Sequence, residues 1–354
     1  MLDTLPVSRT GLKALAVRPE LGQSLKKTKV KSIVRILGSL LALFVALLIV
    51  FLLGSSFLIS SDLKRGDLFD KYRNDKSFLY RVESGAIVHI RDEGNRTGPP
   101  LILLHGSYAS VYAWESWVDE LGDKFRLISF DLPGYGLTGA IPGGDYSRAN
   151  MSRTLDQIMR LMKLERAVIV GHSMGGGVAL QYALDHPEKI RGLILIASSG
   201  MRRTADEEVP STFGLADISW LQPILRYVTP RFMIASALRD SVADPDNFVT
   251  DEQVTRYWEL IRMTGSREAM LQRQNSRDTV APLESRLGEI TIPALLIWGA
   301  QDKVVPLAHG ARMNSAIFNS RLIAYPDIGH LPMEEAPART AAEARAFVDA
   351  LAAN

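Results

Sequence analysis

The chain predicts an α/β fold: a mainly parallel sheet with helices on both faces, a helical cap insert and one N-terminal transmembrane helix. Three observations lead there. Short apolar runs at 101–104, 125–130, 167–170, 190–196 and 292–298 read as buried strands, with helical periodicity between most of them. Such alternation implies a sheet covered on both faces. From 201 to 281 the alternation stops, and helical periodicity with aromatics takes over. An insert at that point sits above the carboxyl ends of the strands, where such sheets bind ligands. Finally, 36–61 runs without a charge, longer than the ~20 residues that cross a hydrocarbon core.

In chain order, residues 1–35 are a polar tail rich in Lys and Arg, which predicts a cytoplasmic N-terminus. Residues 36–61 are the expected span, since a signal peptide has a shorter apolar region of ~7–15 residues. The charged stretch 62–77 reads as a surface connector. Runs 78–82 and 86–91 alternate as a hairpin, with Gly85 near its turn. The core then occupies 78–200 and resumes at 282–354, around the cap at 201–281. Helical pattern is expected at 112–121, 150–162, 306–317 and 336–351, and a further strand at 321–325.

Composition narrows the partners. The 354 residues are 47 % apolar, enough for a sizeable core, and the net charge of +2 argues against nucleic acid. With no cysteine, disulfides, Cys-ligated metals and an acylated anchor are excluded.

The run 167–170 ends in Gly171-His172-Ser173-Met174-Gly175, and a helical pattern follows to about Asp185. This is G-x-S-x-G between strand and helix. A serine at so sharp a turn takes a strained backbone. Gly171 and Gly175 lack the Cβ atoms that would collide there. The Ser173 hydroxyl is thereby pushed clear, and the Met174 N–H lies in the field of a helix N-terminus.

A serine needs a base. Of six histidines, His330 alone lies in a loop after a strand, downstream of Ser173 and able to reach over it. His105 reads as structural, the His172 side chain as turned away, and His309 as part of a surface helix. Asp302, in the loop after 292–298, is the expected acidic partner that orients the imidazole. Asp131 and Asp327 are its rivals. Two backbone donors would hold an oxyanion: Met174 N–H and Ser107 N–H, with Tyr108 N–H in reserve. Tyr108 and Trp220 are the expected substrate contacts. No cofactor and no metal are expected.

His105-Gly106, Asp131-Leu-Pro-Gly-Tyr-Gly136, Gly171-His-Ser-Met-Gly-Gly176, Trp298-Gly-Ala-Gln-Asp302 and Gly329-His330 together resemble the α/β-hydrolase superfamily. They are most similar to its serine esterase, lipase and haloperoxidase-like branch. The resemblance spans about 78–352 and implies an α/β-hydrolase fold with a Ser173, Asp302 and His330 triad. It also implies hydrolysis of carboxylic esters, small or lipid, without cofactor. Ser173 separates the chain from relatives with an aspartate nucleophile. Carbon–carbon hydrolases of ring-cleavage products are the alternative. They usually carry Trp after the catalytic His and a glycine-rich continuation after His-Gly, where this chain has Leu331 and Ser107-Tyr-Ala-Ser110. A non-catalytic binding module is a further alternative. The expected localisation is a single-pass membrane protein with its catalytic domain outside the cytoplasm, on the periplasmic side of a Gram-negative cell.

Overall fold

The computed structural model of the protein describes residues 33–47, 49, 61–204, 207, 222–276 and 283–353. The chain divides into two units, Met1–Phe57 and Leu58–Asn354. In the first, residues 33–47 are helical, and their large apolar side chains, such as Leu41 and Phe44, stand exposed. Among the described residues no helix is long and apolar enough to cross a membrane. Residues 48 and 50–60 of the uncharged run lie outside them, so only the first half of the expected span is seen as helix.

The second unit opens with α1 (Arg65–Tyr72), inside the stretch read as a connector. Leu68 and Tyr72, four residues apart on one helical face, bury against Leu137, Leu260 and Met263. The high local charge hid this short apolar stripe.

Then come β1 (Ser77–Arg81), β2 (Ile87–Gly94) and β3 (Pro100–Leu104), followed by α2 (Glu115–Leu121) and β4 (Arg126–Phe130). Next are α3 (Arg148–Leu161), β5 (Ala167–His172), α4 (Met174–Asp185) and β6 (Ile190–Ile196). The cap holds α5 (Gln222–Leu225), α6 (Arg231–Ser241), α7 (Pro245–Phe248), α8 (Asp251–Ile261) and α9 (Ser266–Ser276). No strand lies among its described residues. The core closes with β7 (Ala294–Gly299), α10 (Leu307–Ala316), β8 (Ser320–Tyr325), α11 (Pro332–Glu335) and α12 (Pro337–Ala353).

The strands form one eight-stranded sheet in the order β1-β2-β4-β3-β5-β6-β7-β8. Only the β1–β2 and β2–β4 pairs are antiparallel. Alternate residues feed opposite faces: Ile102 and Leu104 join one core cluster, Leu101 and Leu103 the other. Both faces are thus covered, which is why the strands read as unbroken apolar runs rather than alternating ones. All the parallel strands present their carboxyl ends to the same edge, and the loops leaving that edge carry the site.

Candidate active site

Residue 173 sits between β5 and α4 at φ 50°, ψ −117°, a conformation that a non-glycine residue holds only at a cost. The surroundings impose it. Ser173 N–H donates to Ile196 O at 3.0 Å, and the Ser173 carbonyl accepts the N–H groups of Gly176 and Ser199 at 3.0 and 2.9 Å. A Cβ at Gly171 would lie 2.5 Å from Gly175 O, and one at Gly175 would lie 2.2 Å from Leu104 O. Strand and helix approach too closely there for any side chain.

The loop after β3 is pressed against this bend. A Cβ at Gly106 would lie 2.7 Å from His172 Nδ1 and 3.1 Å from Ser173 Cβ. Ser107, the next residue, is exposed, and Tyr108 is half-buried at φ 63°. Met174 is buried as the first residue of α4. Ser107 and Met174, whose N–H groups are the expected oxyanion donors, thus directly follow Gly106 and Ser173, which approach each other here. Trp220 lies outside the described residues.

His330 and Asp302 are both buried, and His330 Nδ1–H donates to Asp302 Oδ2 at 2.8 Å. The other carboxylate oxygen accepts Val304 and Val305 N–H, each at 2.8 Å. With Nδ1 occupied as donor, Nε2 is left as the basic nitrogen. Among the described residues no hydrogen bond joins the Ser173 hydroxyl to His330. What brings the imidazole to the bend is His172. Its ring lies 4.8 Å from the His330 ring, and its Nε2–H donates to His330 O at 2.8 Å. The expectation that His172 turns away is corrected: it faces the His330 loop and holds it. Burial, and next the neighbouring His330, push the His172 imidazole well below its usual range, so it stays neutral.

The rival acids are accounted for. Asp131 Oδ2 accepts from His89 Nδ1–H at 2.7 Å and Leu137 N–H at 2.8 Å, and Oδ1 accepts from Val111 N–H at 2.8 Å. Burial raises its pKa, but His89, His105 and these donors outweigh that and leave it lowered. Leu132 N–H donates to His105 Nε2 at 2.9 Å, so His105 props the same loop. Asp327 pairs on the surface with Arg339 at 2.7 Å. His309 is buried rather than on a surface helix, and it meets Glu207 at 2.6 Å. The residues facing the other side of α10 were invisible in its own periodicity.

Sequence reasoning missed Glu335. Its carboxylate accepts Gly329 N–H at 3.0 Å, Leu331 N–H at 3.0 Å and, across to the cap, Ala243 N–H at 2.8 Å. His330 N–H itself donates to Ser241 O, the last residue of α6, at 2.6 Å. The histidine loop is thus stapled on both sides and tied to the cap. The one available signal was a pair of acids just after Pro332, a common start to a helix.

Comparison with known proteins agrees with this geometry. A family model described as the alpha/beta hydrolase fold matches residues 99–337. The chain is 29 % identical over 260 residues to an uncharacterized hydrolase of Bacillus subtilis, covering 70 % of this chain and 88 % of that protein. It is also 29 % identical to 2-hydroxymuconate semialdehyde hydrolase of a Pseudomonas species, over 73 % of this chain and 89 % of the relative. Among solved structures it is similar to a bacterial membrane phospholipase A, with TM-score 0.69 and 22 % identity over 89 % of this chain and 98 % of that one. A bend that lifts Ser173 off the sheet, a buried imidazole–carboxylate pair beside it and a family match over most of the core place this chain in the α/β-hydrolase fold family.

Proposed function

We propose that the protein is a serine hydrolase of carboxylic esters, held at a membrane by its N-terminal segment. The observation that carries the chemistry is the buried His330–Asp302 pair, seated against the residue that precedes Ser173. Ser173 Oγ attacks the carbonyl carbon and gives its proton to His330 Nε2. Asp302 stabilises the imidazolium that forms. Ser107 and Met174 N–H groups receive the developing oxyanion, which is worth roughly 3–4 kcal/mol per donor. His330 then protonates the leaving alcohol, and water, activated by the same nitrogen, releases the acyl group.

Carbon–carbon hydrolysis is the second reading, and the relative that cleaves a semialdehyde favours it. Against it stands Leu331, which is buried in the core beside His330 where such enzymes usually hold Trp. The membrane role is supported by the uncharged run 36–61 and by the exposed apolar side chains of helix 33–47. A fluorophosphonate probe tests the nucleophile: it should label the wild type and not Ser173→Ala. Parallel assays on p-nitrophenyl esters and a ring-cleavage dienoate decide between the two reactions. Turnover of the dienoate alone would overturn the ester reading.

A further inference from the structure

We propose that the α5–α6 junction of the cap, bearing Ile224, Tyr227 and Phe232, docks on the lipid surface at which the N-terminal segment holds the chain. The inference rests on the anchored reading above and adds to it a second, non-covalent contact.

The three side chains are 45 %, 62 % and 67 % exposed. Large apolar groups left exposed at three positions between residues 224 and 232, on both sides of the α5–α6 junction, mark a surface that something covers. Lipid is the occupant favoured by how the chain enters the second unit. Ser61 ends the uncharged run, and the cap grips the chain at that residue. Arg262 donates from Nε and Nη2 to Ser61 O at 3.1 and 2.8 Å. Leu63 N–H donates to Arg262 O at 2.8 Å, Thr264 N–H donates to Leu63 O at 3.0 Å, and Arg267 meets Asp62 at 2.5 Å. The residues leaving the apolar run thus form part of the cap's own edge.

From that edge a short relay leads to the apolar junction. The Arg262 guanidinium stacks 4.0 Å from the centre of the Trp258 ring, and Trp258 Nε1–H donates to Thr229 O at 2.7 Å. Thr229 lies between Tyr227 and Phe232. Two side chains, Arg262 and Trp258, therefore link Ser61 to the backbone between Tyr227 and Phe232.

Charge at the patch is balanced. Arg226 pairs with Glu268 at 2.8 Å, and Arg231 with Asp251 at 2.5 Å. Attraction to anionic headgroups is therefore small, and apolar burial with a Tyr at the headgroup level drives docking. Because the chain is already tethered, docking is an intramolecular event, and three side chains suffice where they would not hold a free protein. The contact also bears on the site. Phe232 stands in the first turn of α6, whose last carbonyl, Ser241 O, takes the His330 N–H. One helix of eleven residues joins the lipid-facing turn to the histidine loop.

The absence of cysteine makes a clean test. Phe232→Cys in the full chain is labelled with bimane and reconstituted in phosphatidylcholine vesicles carrying a doxyl quencher. Phe318→Cys is the control: residue 318 is 99 % exposed at the amino end of β8, away from the cap. Docking predicts quenching at 232 at least about twofold above that at 318, and little changed by salt or by anionic lipid. Equal quenching in protein that floats with the vesicles overturns docking and leaves the anchor standing. Protein that does not float overturns both. As a second measurement, Phe232→Glu should lower hydrolysis of a vesicle-borne ester while sparing a short soluble one; unchanged hydrolysis of the vesicle ester also overturns docking.

Discussion

His172 Nε2–H donates to the carbonyl of His330 at 2.8 Å, and the two rings lie 4.8 Å apart. The residue just before Ser173 thus fixes the backbone of His330. Replacing it with Phe keeps a ring but leaves the His330 carbonyl unpaired, at a cost of about 1–3 kcal/mol. His172→Phe should lower kcat roughly tenfold with little change in KM. An unchanged kcat would show that the pair is only packing.

Strain at Ser173 gives a prediction that separates function from stability. Glycine accepts φ 50° without penalty. Ser173→Gly should abolish turnover and yet raise stability by about 1 kcal/mol, read as a higher denaturation midpoint. Destabilisation would mean that the serine side chain helps to hold the bend.

Asp302 accepts the His330 Nδ1–H and two backbone N–H groups. Asp302→Asn keeps the shape and favours the wrong imidazole tautomer. The rate of ester hydrolysis should fall by about 10⁴-fold, with KM nearly unchanged. A loss below tenfold would return the acidic role to another residue.

Glu335 is the positioning residue of the histidine loop. Glu335→Ala leaves three backbone N–H groups without their acceptor and should destabilise the protein by about 3 kcal/mol. Fluorophosphonate labelling of Ser173 should slow in parallel. Glu335→Gln, which keeps one carbonyl acceptor, should recover part of both. Full labelling rate in Glu335→Ala would remove it from the site.

The neighbouring Glu334 supplies a pH test. Burial pushes its carboxyl up to about 8, with Glu335 and Glu115 adding and Arg256 opposing. The folded chain then keeps a proton that the unfolded chain has already lost. Stability from this group is full below the ordinary carboxyl range and declines as pH rises toward about 8. The decline is at most about 1.4 kcal/mol per pH unit for one proton. Denaturation midpoints measured from pH 6 to 8 should fall in the wild type and fall less in Glu334→Gln. Equal slopes would refute the raised value.

The sequence by itself determined the sheet, the bend and the candidates. Apolar runs such as 190–196 are local signals, because a strand buried on both faces reads as a short, β-branched-rich apolar run too short for a helix. Gly171 and Gly175 also mark their turn locally, by the backbone contacts they permit. Tertiary structure decided which distant groups meet: that Asp131 serves His89 while Asp302 serves His330, that His172 faces the base, and that Glu335 ties residues 329 and 331 to residue 243. Those choices depend on where loops from separate strands land above one sheet edge. No spacing along the chain encodes that, because hydrogen bonds between side chains and remote backbone leave no period. The contact between residues 61–64 and the cap was hidden for the same reason. It is made of carbonyls and guanidinium groups from segments some two hundred residues apart, and only the folded chain brings them within reach.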